Sequence, residues 1–159
     1  MTAPVPTKPL AEREVTITRV FDAPRALVFK AWTDPQHLAQ WWGPKGFTNP
    51  VCEFDAQVGG ALRIHMRAPD GSVYPMKGVI REIVAPERLV FTSIAVDASG
   101  NHLLEGLTTV VFAEERGKTK MTLHARAIAV VEMAAAYLQG MAIGWTQSID
   151  RLEAFVARA

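Results

Sequence analysis

Apolar and polar residues alternate through EVTITRVF (Glu14–Phe21), with β-branched side chains at several positions, and this predicts a strand. The period then changes. Asp22-Ala23-Pro24 is a helix start, with Asp22 as N-cap and proline in the first turn, and Leu27, Val28, Ala31 and Trp32 share one face of the helix that follows. Thr33-Asp34-Pro35 restarts the pattern, with Asp34 as a second N-cap. Leu38, Trp41 and Trp42 then fall on one side of a second short helix, which Gly43-Pro44 ends.

From Phe47 to about Ala127 the pattern is strand-like, with runs near 47–56, 60–68, 73–84, 88–96, 106–114 and 119–127. Turn residues separate them, as in Val58-Gly59-Gly60, Pro69-Asp70-Gly71 and Arg116-Gly117-Lys118. Connections this short permit antiparallel neighbours only, so the six runs read as a meander. Leu62, Ile64 and Met66 oppose Arg63, His65 and Arg67, and Met121, Leu123 and Ala125 oppose Thr122, His124 and Arg126. One face of such a sheet is dry and the other wet. The cover for the dry face is the last segment, roughly Val131 to Arg158. There Met133, Tyr137, Met141, Trp145, Ile149, Leu152 and Val156 recur at three- and four-residue steps. An unbroken helix of that length spans on the order of 40 Å, although Gly140 and Gly144 weaken it.

The predicted order β-α-α-β6-α defines an α+β fold: a curved antiparallel sheet wrapped around a long C-terminal helix, with the short helix pair closing one end. A bent sheet around one helix does not fill its own interior, so a cavity is expected beneath the helix. Residues 1–12, with three prolines ahead of the first strand, read as a mobile tail, and 13–159 as a single domain.

Composition narrows the partners. Of the 159 residues 49% are apolar and 21% charged, and the net charge of +1 comes from 17 basic and 16 acidic residues spread along the chain. With no basic stripe, nucleic acid and anionic membranes are not expected as partners. No apolar run reaches the roughly 18 residues that span a bilayer, and the N-terminal stretch lacks the apolar core of a secretory signal. One cysteine, Cys52, excludes an internal disulfide. The expected setting is the cytoplasm.

Catalytic candidates are sparse. His65 and His124 alternate with apolar neighbours and sit on the wet face in this register, where a one-residue slip would turn either into the cavity as a polar group. His37 reads as surface, and His102 as part of a turn. No histidine pair has metal-ligand spacing, so neither a metal nor another cofactor is expected. Cys52 reads as a buried inert thiol, and Glu53 and Asp55 as a solvated outer face. The apolar set is more informative. Trp32, Trp41, Trp42, Phe47, Met66 and Tyr74 are candidates for the wall of the cavity. Met76, Phe91, Met133, Tyr137, Met141 and Trp145 are the remainder. Methionine accommodates varied shapes, and the two tyrosine hydroxyls are the sparse polar groups expected of an apolar pocket. Adjacent helical residues point about 100° apart, so Trp41 and Trp42 divide the work, with Trp41 as the inward one.

The run ITRVFDAPRALVFKAWTDPQHLAQWWGPKGFTN resembles the opening of bacterial proteins in the family named after the activator of the Hsp90 ATPase. The likeness continues through CEFDAQVGGALRIHMRAPDG, YPMKGVIREIVAPERLVFT and TTVVFAEERGKTKMTLHAR to GWTQSIDRLEAF, covering about residues 14–157. That family belongs to the START-like (SRPBCC, Bet v 1-like) superfamily, and the resemblance implies the helix-grip fold with a deep, mostly apolar cavity. It leaves the reaction open, because fold does not determine function. The leading expectation is a binder of a small hydrophobic or amphipathic molecule. Two alternatives stand beside it: a co-chaperone domain stimulating an Hsp90-type ATPase, and a polyketide cyclase- or hydrolase-like enzyme using His65, His124 or Tyr74. Edge strands make a homodimer a further candidate.

Overall fold

The computed structural model describes residues 11–159; residues 1–10 of the expected tail lie outside them. Seven strands form one antiparallel sheet: β1 (Ala11–Phe21), β2 (Thr48–Phe54), β3 (Ala61–Arg67), β4 (Val73–Val84), β5 (Arg88–Val96), β6 (His102–Glu115) and β7 (Lys118–Ala129). Their spatial order is β1-β7-β6-β5-β4-β3-β2. After β1 the chain therefore crosses to the far edge and returns strand by strand until β7 pairs with β1. The crossing is made by α1 (Arg25–Thr33) and α2 (Pro35–Trp41), which close one end of the sheet. β1 begins at Ala11, three residues earlier than alternation alone predicted, because β7 runs on to Ala129 and offers Ala11 a partner.

The alternation read from the sequence separates the two faces. Leu62, Ile64, Met121, Leu123 and Ala125 are buried on the concave side, while Arg63 and Arg126 on the outside pair with Glu53 at 3.1 Å and Glu12 at 2.7 Å. Such exposed pairs each contribute at most about 1 kcal/mol, so burial on the concave side dominates stability. Phe21, Val28, Trp32, Leu38, Phe112 and Leu152 are among the members of that core.

Asp34 caps α2 as expected, its carboxylate accepting from the Gln36 N–H at 2.9 Å. Asp22 does not cap α1. Pro24 occupies that position in an extended conformation, without a side-chain bond. The buried face of α1 is Val28, Phe29, Ala31 and Trp32, so Phe29 takes the place expected of the half-buried Leu27.

The C-terminal segment departs further from expectation. Instead of one helix from Val131 it has a single 3₁₀ turn (Glu132–Ala134), a five-residue α3 (Ala135–Gln139) and α4 (Met141–Arg158), broken at Gly140. The break falls on a helix-weakening glycine, and a cap from another strand secures it. The Arg13 guanidinium of β1 donates to the Leu138 and Gln139 carbonyls at 3.3 and 3.2 Å, taking up carbonyl groups at the end of α3. With 18 residues, α4 is about 27 Å long rather than 40 Å.

Candidate functional site

A cavity of about 450 Å³ lies between the first half of α4 and the concave face of β4–β7. Side-chain size on the sheet determines where it opens. Toward one end the concave positions of β5–β7 carry Phe91, Val110, Phe112, Met121 and Leu123, which fill the space against Ile149 and Leu152. Toward the other end the same rows continue as Ser93, Ala95, Gly106, Ala125 and Ala127, all lining the cavity. The register sets these small residues opposite one another, Ser93 against Gly106 and Gly106 against Ala127. Gly144 on α4 faces the same space, with only the Pro44 ring within 4 Å of where its Cβ would stand. Bulk therefore falls away from sheet and helix together, leaving room.

The four tryptophans pack together at one end of the cavity, with Trp42 and Trp145 in its wall and Trp32 and Trp41 behind them. Trp32 packs edge-on to Trp41 and Trp42 at 4.7 and 6.3 Å between ring centroids and stacks on Trp145 at 6.2 Å. Trp41 has no exposure, and its indole N–H donates to the Ala31 carbonyl at 2.9 Å. Trp42 is turned away from it, lines the cavity, and meets Trp145 edge-to-face at 5.4 Å. The turn that follows is tied to α4. Arg151 donates to the carbonyls of Trp42, Gly43 and Pro44 at 3.1, 2.9 and 3.0 Å, and Gln147 accepts from the Lys45 N–H at 3.1 Å. Burial lowers the Arg151 pKa from the usual arginine value. Asn49 holds the Trp42 carbonyl from the other side at 2.8 Å. The single motif that closes α2 thus carries one tryptophan for the core, one for the cavity, and a clamped rim.

Eight of the candidate wall residues line the cavity: Trp42, Phe47, Met66, Tyr74, Met76, Tyr137, Met141 and Trp145. Trp32, Trp41 and Phe91 lie behind that wall, completely or almost completely buried in the core. Met133 is 69% exposed, because it falls in the 3₁₀ turn Glu132–Ala134 and not on a helix of the expected stripe. His65 and His124 do not line the cavity. Each lies between concave-facing neighbours (Ile64 and Met66, Leu123 and Ala125), so each points outward, and His124 stands 3.9 Å from Glu14. His37 is half-buried instead of surface, its ring edge-on to Phe155 at 5.2 Å. His102 opens β6 beside Glu105 at 3.2 Å. Leu103, Leu104, Ser93 and Thr108 are wall residues that the sequence reading did not single out. For Ser93 and Thr108 the missed signal was the run of small residues at concave positions of β5 to β7, which reads as only weakly apolar.

Cys52 packs against the core rather than the cavity, and burial, with Glu53 adding to it, pushes its thiol up to about 11. Thiolate is the reactive form, so Cys52 is a poor nucleophile at neutral pH. Arg126 borders the cavity, but its guanidinium is engaged by Glu12 and Glu14. Among the described residues no group of three or more His, Cys, Asp or Glu could hold a metal ion. Within the same residues, no helix is long and apolar enough to cross a membrane.

Comparison with known proteins places this geometry. A family model described as "Activator of Hsp90 ATPase homolog 1-like protein" matches residues 22–157. Among solved structures, a Chromobacterium violaceum protein is similar at 32% identity and TM-score 0.75, over 90% of this chain and 96% of that one. A protein from Arthrobacter aurescens is similar at 26% identity and TM-score 0.79, over 96% and 94%. The AHSA1 protein of Silicibacter pomeroyi shares the fold at 23% identity and TM-score 0.76, over 91% and 98%. A search of curated proteins finds no match.

Proposed function

The chain belongs to the family of activator of Hsp90 ATPase homolog 1-like proteins, with a helix-grip α+β fold, and on that premise we propose that it binds one small hydrophobic or amphipathic molecule in the cavity beneath α4. The observation that carries this reading is the cavity itself. Its 450 Å³ falls within the roughly 300–1,000 Å³ of pockets that hold drug-sized ligands. Its wall is built largely from aromatic rings, methionines and alanines, with hydroxyls and the Glu12-paired Arg126 as its polar side chains. The three wall methionines, Met66, Met76 and Met141, are half-buried and adaptable in shape. Tyr74 and Tyr137 stand partly exposed at its rim, where their hydroxyls meet water while their rings meet the ligand.

Titration with the neutral lipophilic fluorophore N-phenyl-1-naphthylamine tests the reading. Saturable one-to-one binding is expected in the micromolar range. Met141→Trp, which places a larger ring in the cavity, is expected to weaken it at least tenfold while the circular dichroism spectrum is unchanged. Tyr137→Ala is expected to weaken it severalfold. Binding that fails to saturate, or that ignores Met141→Trp, would sink the proposal.

A further inference from the structure

Among the described residues three polar side chains are buried in the apolar interior: Thr108, Thr119 and Ser148. Two of them have internal partners. The Thr119 hydroxyl donates to the Ala23 carbonyl at 2.8 Å, and the Ser148 hydroxyl to the Gly144 carbonyl at 2.9 Å. Thr108, only 3% exposed, has no such bond to the described residues and lines the cavity. Its oxygen is not sealed inside the protein but opens on that cavity, in a wall that is otherwise mostly apolar and where valine would fill the same volume on a strand. Thr108 therefore makes sense where something else supplies the partner.

Ser93 stands beside it. Phe91 pairs with Thr108 and Ser93 with Gly106, so Ser93 and Thr108 are diagonal neighbours on the concave face of adjacent strands. A Cβ at Gly106 would lie 2.8 Å from the Ser93 Oγ. The serine hydroxyl thus rests over the glycine, in space that an alanine would take. Both hydroxyls lie on the small-residue half of the wall, opposite the first half of α4. The basic residue among those lining the cavity is Arg126, whose guanidinium is held by Glu12 at 2.7 Å.

From this placement, and resting on the cavity-binding reading above, we infer that Ser93 and Thr108 form an oxygen-binding subsite, so that the ligand is an apolar molecule bearing a neutral carbonyl or hydroxyl oxygen. Each hydroxyl can donate to a carbonyl or accept from an alcohol. A carboxylate meets no cation here and loses its hydration on entry. A plain hydrocarbon leaves Thr108 unpaired.

A shape-matched set tests the subsite: 2-ethylnaphthalene, 2-acetylnaphthalene, 2-naphthol and 2-naphthoate, each measured by displacement of N-phenyl-1-naphthylamine from wild-type protein, Thr108→Val and the double variant Ser93→Ala/Thr108→Val. The acetyl and hydroxyl compounds are expected to bind roughly 3–10-fold tighter than the ethyl compound, the worth of about one net hydrogen bond. Naphthoate is expected to bind at least tenfold more weakly than acetylnaphthalene. In the double variant the acetyl-to-ethyl preference should fall to within about twofold, with ethylnaphthalene bound as tightly as before or better. Ligand-free Thr108→Val should unfold at an unchanged or higher urea concentration. An equal affinity for acetyl and ethyl compounds, a preference that survives the double variant, or a lowered unfolding midpoint for Thr108→Val would each overturn the subsite. In any of those cases saturable ethylnaphthalene binding that Met141→Trp blocks would leave the cavity reading standing. Failure of all four compounds to bind would overturn both.

Discussion

Arg151 is the residue whose loss would test most directly how the cavity is held open. Its Nη1 faces three carbonyl oxygens, those of Trp42, Gly43 and Pro44, at 2.9–3.1 Å, and Nη2 reaches the Gln40 carbonyl at 3.4 Å. The expected effect of Arg151→Met, which keeps the apolar stem, can be worked from this geometry. Nη1 has two protons for three oxygens, so two full bonds is the ceiling. The Trp42 carbonyl keeps the Asn49 amide at 2.8 Å and the Pro44 carbonyl keeps the Phe47 N–H at 3.1 Å, which leaves the Gly43 oxygen to lose its partner. Hydrogen bonds from a charged donor contribute about 1.5–3 kcal/mol each, and water at this half-buried rim replaces part of that. A loss of about 1–2 kcal/mol follows. With a urea m-value near 2 kcal/mol/M, the midpoint should fall by about 0.5–1 M.

Two further readouts separate the clamp from a generic packing defect. Trp42 and Pro44 line the cavity, so the variant should also bind N-phenyl-1-naphthylamine several times more weakly. Burial lowers the arginine pKa, but a guanidinium stays charged through the working range, so the stability gap should be the same at pH 6 and pH 9. Arg151→Lys should lie between, since one ammonium does not reproduce the planar fork. A midpoint shift below about 0.3 M together with unchanged probe affinity would show that the turn holds itself, and the clamp would have to be abandoned.

Three other expectations are simpler. Gly43→Ala should destabilise by about 1–3 kcal/mol, because φ is +98° and the new Cβ would stand 3.1 Å from the Met66 sulfur; an unchanged melting curve contradicts this. Gly144→Ala meets only the Pro44 ring at 3.8 Å and should stabilise by up to about 1 kcal/mol, so a loss in the same assay would mean the helix packs more tightly there than described. Cys52, its thiol held near 11 by burial, should react with iodoacetamide at pH 8 about two orders of magnitude more slowly than free cysteine and speed up about tenfold per pH unit to pH 10; alkylation at the free-thiol rate would refute the burial argument.

Much of the architecture was legible because the sequence punctuates it. Alternation in β3 and β7, the Asp34-Pro35 start of α2 and the glycine-rich turns each act within a few residues, so local physics suffices to place them. What stayed hidden involves partners far away in the chain. Helical periodicity runs through Gly140 without interruption, yet the helix breaks at that glycine, where Arg13, more than a hundred residues earlier, takes the carbonyls of Leu138 and Gln139. Met133 was therefore expected on the stripe and stands in solvent. Arg151 presents the same problem in reverse. An arginine on the flank of an amphipathic helix looks like ordinary solubilising charge, and its role appears only once α2 ends beside it.

The cavity shows why wall residues are harder to read than core residues. Large apolar side chains announce burial, so Trp32, Trp41 and Phe91 were naturally offered as wall, although their size is what makes them fill the interior instead. Space is made by the residues that are small where their strand neighbours are large: Ser93 after Phe91, Gly106 and Thr108 before Val110 and Phe112, Ala125 and Ala127 after Leu123. Those rows belong to three strands, and only the register that sets Gly106 between Ser93 and Ala127 aligns their small halves. A single strand with an alanine carries no such information. The adjacent pair Trp41-Trp42 is the exception that local geometry does resolve. The 100° between them sends one ring into the core and leaves the other to face whatever the core does not fill, and on this sheet that is the gap left by the small residues.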